Sequence, residues 1–293
     1  MALRIGRVVS EGAALAFSRN GVVLSALFFL AESLGVLLII SVGTMYVPVD
    51  VGTGVTPGSQ LAAGGELPAL TAAAASMFAG LFTSVLTAPL SIIAIRTFVG
   101  GRTDRIPDNY IFDRIGRATF SGVIASFLQV GLMFAVVFGV VFAFFLGLFA
   151  IGRLGLSDHL SMAVLLLVGL VVLVGGAVLF LTLLVHFLFV SHEISIRNRG
   201  VVDAFRGSWE TVRGNRLRLA VLAVVFGGVR GSFSSLAAPP VEGPISMFQL
   251  ALTPVGMVLS AAIGVLVTAI FARTYRELRP DVSTEFETGG VEE

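Results

Sequence analysis

The chain has 293 residues, of which 56% are hydrophobic and only 13% charged, and its mean hydropathy is +0.98. Soluble domains carry roughly a quarter charged residues, so this composition excludes an ordinary soluble or disordered protein and points to a polytopic membrane protein. Cysteine is absent, which excludes disulfides, thiolate metal sites and thiol catalysis, and a formal net charge of +1 gives no bulk attraction to nucleic acid.

Six apolar stretches are long enough for the ~20 residues a membrane helix needs. In chain order they cover about 21–47, 70–95, 120–151, 161–190, 217–237 and 245–271. Their continuous apolar character fits helices; barrel strands would alternate. The first is interrupted by Glu32. The fifth contains Arg230, which is expected to snorkel to the outer interface; the alternative is that this helix stops at Gly227-Gly228. Pro89 and Pro254 sit where they can kink the second and sixth.

All nineteen basic residues are arginine, a bias that suggests a GC-rich, halophilic archaeal genome. Seventeen fall in four segments: the N-terminus, the second-to-third connection, the fourth-to-fifth connection and the region after the sixth span. Only Arg153 and Arg230 lie elsewhere. Because arginine is retained on the inner side, this alternation predicts six spans in the cell membrane with both termini cytoplasmic.

The inner segments are amphipathic. Residues 3–17, 110–117 and 201–212 each place apolar side chains at helical spacing among charges, and each precedes a pair of spans. The expected fold is therefore all-α: a six-span bundle of three helical hairpins, each introduced by a cytoplasmic interfacial helix. The repeats run over about 3–99, 107–190 and 194–275 within one domain, 1–279. The acidic stretch 280–293 reads as a disordered tail.

The region from Glu193 to Asn215 contains Ala204-Phe205-Arg206, Ser208-Trp209 and Gly214-Asn215. This pattern resembles a signature in the membrane domain of bacterial glycerophosphoryl diester phosphodiesterases and in haloarchaeal relatives. The resemblance implies a six-span layout with an interfacial helix. Those phosphodiesterases carry a separate soluble catalytic domain, for which this chain has no room, so their activity is not implied.

Glu32 and Gln129 form the candidate intramembrane polar site. A charge at the bilayer centre costs about 2.5–3.5 kcal/mol on insertion scales, so Glu32 should face the bundle, protonated or paired. It is either a proton- or ion-sensitive group or a neutral acid bonded to Gln129, Ser33 or Thr87. In the cytoplasmic interfacial motif, Glu193 is expected to pair with Arg197 four residues on, beside Phe205, Arg206, Trp209 and Asn215. The small residues Ser76, Gly80 and Ser84, and Gly256, Ser260 and Gly264, recur every four positions and are expected to pack helices. No catalytic motif is present and no metal or cofactor is expected; His186 and His192 lack a ligand spacing. The expected function is a non-catalytic integral membrane protein that organises lipid or a membrane complex through its Arg-rich face. Its partners would be anionic headgroups or another membrane protein, not nucleic acid. The alternative is a small transporter or permease using Glu32 and Gln129.

Overall fold

The structure, a computed structural model, describes residues 3–46, 66–153, 158–237 and 247–282. Among these, every regular element is an α-helix: α1 Ile5–Ala16, α2 Arg19–Tyr46, α3 Glu66–Val99, α4 Asp108–Phe112, α5 Ile115–Arg153, α6 Asp158–His186, α7 Val190–Arg197, α8 Val201–Val212, α9 Arg216–Ala237 and α10 Met247–Leu278. Five stretches, in α2, α3, α5, α6–α7 and α10, are long and apolar enough to cross a membrane. The α9 helix, with Arg216, Arg218 and Arg230, is not among them. It nevertheless remains helical through Arg230 to Ala237, so the Gly227-Gly228 pair does not end it. Pro89 and Pro254 both lie inside helices.

The long helices pack as a ring in the order α2, α3, α5, α6, α9, α10, and α10 closes on α2 while also touching α3. The short helices gather at one end of it. Leu3 N–H donates to Asn215 Oδ1 (3.4 Å), Arg4 N–H to Glu277 (3.1 Å), and Asn20 Nδ2 to the Arg102 carbonyl (3.0 Å). The four arginine-rich segments, far apart in the chain, thus form a single layer. Arg96 ties it together: Nε donates to the Ser195 carbonyl, and Nη1 to the carbonyls of Tyr110 and Asp113.

The protein core sits in this layer. Leu24, Phe98, Phe189, Leu219, Ile270 and Tyr275 are fully buried there. Each such side chain contributes about 1.5–3 kcal/mol relative to an exposed one. Backbones approach closely where glycine permits it: a Cβ on Gly12 of α1 would fall 2.7 Å from Ile270 Cα of α10. Farther from the layer, α5 and α6 turn Phe134, Phe138, Phe142, Leu167 and Leu170 outward. An apolar surface of that extent is unsuited to water. Lipid offers no hydrophobic drive for helices to bury against each other, which accounts for a core confined to the polar end.

Local order follows local chemistry. The chain turns between α8 and α9 at Gly214, whose φ of +91° favours glycine. Asn215 then accepts the first α9 hydrogen bond, from Leu219 N–H. The α4 helix is shorter than expected and separated from α5 by Arg114 in the left-handed region. The fourth apolar stretch is also not one helix. It breaks at Phe187–Phe189 and resumes as α7, and Ser208 stabilises the break by donating to the His186 carbonyl (2.6 Å) while accepting from Phe189 N–H (3.1 Å). Order extends past the boundary expected at residue 280: Val282 is fully buried and Asp281 pairs with Arg197. The rest of the acidic tail lies outside the described residues.

Candidate functional site

Two polar constellations stand apart from the apolar framework. The first lies in the arginine-rich layer and is centred on Glu193. Its side chain is 0% exposed. Oε2 meets Arg199 Nη1 at 3.2 Å as an ion pair without hydrogen-bond geometry. Oε1 accepts from Thr211 Oγ1 (3.3 Å) and lies 3.5 Å from Arg279 Nη2. Arg279 is held in turn: Nε donates to Thr211 Oγ1 (2.8 Å) and Nη2 to the Gly207 carbonyl (3.2 Å).

This differs from the expected Glu193–Arg197 pair. Asn198 ends α7 in the left-handed conformation, with φ of 52°. That turn brings Arg199 back over the carboxylate, while Arg197 points to Asp281. Gly207 makes the arrangement possible, because a Cβ there would fall 2.8 Å from the Glu193 carboxyl carbon and closer still to Arg199. The cluster locks α7, α8 and the end of α10 together. Glycine three residues beyond the motif's Ala204 was the only sequence sign of a close approach.

The rest of the motif faces two ways. Inward, α8 presents Ala204, Gly207, Ser208, Thr211 and Val212. Outward, Val202 is 64% and Trp209 42% exposed. Trp209 also lies over His186, centroids 3.8 Å apart, and Phe205 meets Phe187 edge to face. Arg206 is exposed and near Asp203 (4.0 Å). On α1, Glu11 accepts from Arg7 Nε (2.7 Å) and lies 3.9 Å from Arg273. The Arg7 hydrogen bond, then the nearby arginine charges, hold the Glu11 carboxyl below the usual range.

The second constellation is a chamber of about 570 Å3 inside the ring. It is walled by α3, α5 and α10, reached by Arg230 from α9, and floored by α7. His192 lines this floor. It is 4% exposed, and neither ring nitrogen has a hydrogen-bond partner. Its ring sits 5.4 Å from both Phe189 and Tyr275. A groove of about 450 Å3 between α5 and α6 adjoins the chamber at Ser126 and Val130.

Glu32 and Gln129 are not brought together. Gln129 lines the α5–α6 groove, whereas Glu32 on α2 interacts electrostatically with Arg230. No hydrogen bond joins the two among the described residues. Arg230 is exposed and lies beside α10; its Cζ would lie 3.8 Å from a Cβ on Gly264. The spaced small residues have unequal surroundings. Gly256 and Ser260 are buried, and Gly264 faces Arg230. A Cβ on Gly80 would meet open space, and Ser84 lines the chamber, donating to the Gly80 carbonyl (2.9 Å). The Ser76 side chain lies outside the described residues.

No curated protein and no solved structure matches the chain. A family model covers residues 3–278, nearly the whole of the helical unit described above, and the chain accordingly belongs to the family described as Domain of unknown function (DUF7847).

Proposed function

We propose that this is a non-catalytic, six-span integral membrane protein whose arginine-rich face lies in the cytoplasm and gathers anionic lipid at the inner surface of the cell membrane. The supporting observation is the rim of that face. Exposed apolar side chains, Phe17, Phe112, Phe120, Val202, Trp209 and Leu217, stand beside exposed Arg114, Arg117, Arg206, Arg213 and Arg216. Apolar groups at headgroup depth next to cations bind an anionic interface by burial and charge together. The Glu193 cluster and Arg96 tie together the helices that carry this rim. A six-span layout agrees with the resemblance of residues 193–215 to the phosphodiesterase membrane domains, with α9 as the fifth span.

The chain lacks cysteine, so topology can be read with single introduced thiols. Asp104→Cys and Gly200→Cys should resist an impermeant thiol reagent in intact cells, and Gly58→Cys should react; the opposite pattern overturns the orientation. Trp209 is the only tryptophan. In nanodiscs its fluorescence should be quenched by lipid brominated near the carbonyls and shielded from aqueous iodide. Full quenching by iodide would place α8 in water and overturn the interfacial role.

A further inference from the structure

We propose that the chamber inside the helix ring binds one anionic membrane lipid, with its headgroup at Arg230 and its chain in the groove between α5 and α6. This goes beyond the annular lipid contacts of the rim, since it is a single site within the bundle.

The first ground is charge. Among the residues lining the chamber, Arg230 is the sole fully charged side chain and no carboxylate joins it. Glu32, outside that lining, interacts with Arg230 electrostatically. A cation would meet a guanidinium here, whereas an anion would gain a charge-assisted hydrogen bond in a poorly screened place.

The second ground is shape. Arg230 lies against Gly264, and His192 against Tyr275 three turns along the same helix, so the chamber runs about 16 Å along the bundle axis from Arg230 to its floor. The chamber volume falls within the roughly 300–1,000 Å3 of small-ligand sites. The adjoining groove is lined by Val130, Met133, Phe134, Val137 and Phe180 together with Ser126 and Gln129, a mostly apolar trough suited to a hydrocarbon chain. A chamber that holds one guanidinium and several hydroxyls, continuous with a more apolar trough, matches an amphiphile better than a free anion. The floor is formed by α7, which the Glu193 cluster ties to α8 and the end of α10.

The test uses the full chain in detergent, supplied with phosphatidylglycerol, phosphatidylcholine or oleate, and native mass spectrometry to count retained lipid. One phosphatidylglycerol should be retained in preference to phosphatidylcholine, and Arg230→Gln should weaken its retention by roughly ten- to a hundredfold, the worth of a hydrogen bond to a charged group. Preferential retention of oleate with the same Arg230 dependence would also support the site and assign a carboxylate in place of a phosphate. Ser126→Phe, which fills the chamber without changing charge, should abolish retention and decides the matter if Arg230→Gln does not fold. Replacing Arg114, Arg117, Arg206 and Arg213 with Gln should strip loosely held anionic lipid but spare the single tight one, which separates this site from the rim. Retention that is absent, blind to headgroup charge, or unaffected by both chamber variants overturns the proposal.

Discussion

Replacing Glu193 with leucine removes the one carboxylate buried between two arginines. Losing one partner of a fully buried ion pair costs about 3–5 kcal/mol, because the other charge stays desolvated. Here Arg199 retains 31% and Arg279 19% side-chain exposure. Arg279 also keeps its bonds to Thr211 and the Gly207 carbonyl. Solvent and these remaining acceptors offset part of the loss, so the expected cost is about 2–3 kcal/mol. Glu193→Gln keeps the shape and an acceptor for Thr211 Oγ1, and should cost about 1–2 kcal/mol. The double variant Glu193→Leu/Arg199→Leu should recover part of the single-variant loss, since it removes the charge left stranded. Stability can be measured by reversible unfolding in mixed micelles of increasing SDS fraction. A Glu193→Leu protein within about 0.5 kcal/mol of the parent, the range of ordinary surface substitutions, would refute the reasoning. So would a double variant whose loss is the plain sum of the two singles.

Three further outcomes are expected. Gly207→Ala forces a methyl group into the Glu193 carboxylate and should cost about 1–3 kcal/mol as an overpacked site; an unfolding midpoint equal to the parent's would show that α8 can shift aside. Arg96→Met leaves the carbonyls of Ser195, Tyr110 and Asp113 without their donor and should cost about 2–4 kcal/mol, read in the same unfolding assay and by faster protease cleavage near Tyr110. Glu11 has a folded pKa lowered chiefly by its Arg7 hydrogen bond, so its contribution is present above the ordinary glutamate pKa and is lost as pH falls through the lowered value. With Glu11 and Arg7 both exposed this amounts to less than about 1 kcal/mol, and Glu11→Gln should flatten that part of the acid limb of the stability profile.

The interfacial motif shows how far one-dimensional pattern carries. The three- and four-residue spacing of Val202, Phe205, Trp209 and Val212 gave the extent of α8 correctly, because periodicity is a property of the helix itself. The same pattern could not tell which side met protein: the bundle takes the small face around Gly207 and leaves Val202 and Trp209 outward. The break between α6 and α7 had no proline or glycine to announce it. It depends on Ser208, some twenty residues on, whose hydroxyl replaces the missing backbone bonds.

Composition and apolar length by themselves determined an all-helical chain with membrane-length helices, since both follow from the cost of placing backbone and charge in hydrocarbon. The sequence also determined depth. Glu32 lies about 20 Å along α2 from Arg19, Arg230 about 21 Å along α9 from Arg216, and Gln129 about 18 Å along α5 from Arg117. All three occupy one level, and a depth argument alone pairs any two of them. Only the tertiary structure decided the choice, because which helices are neighbours is set by the order of the ring. With α2 and α9 both against α10, and Gly264 leaving room between them, the guanidinium reaches toward Glu32, while Gln129 faces a groove on the far side of α3.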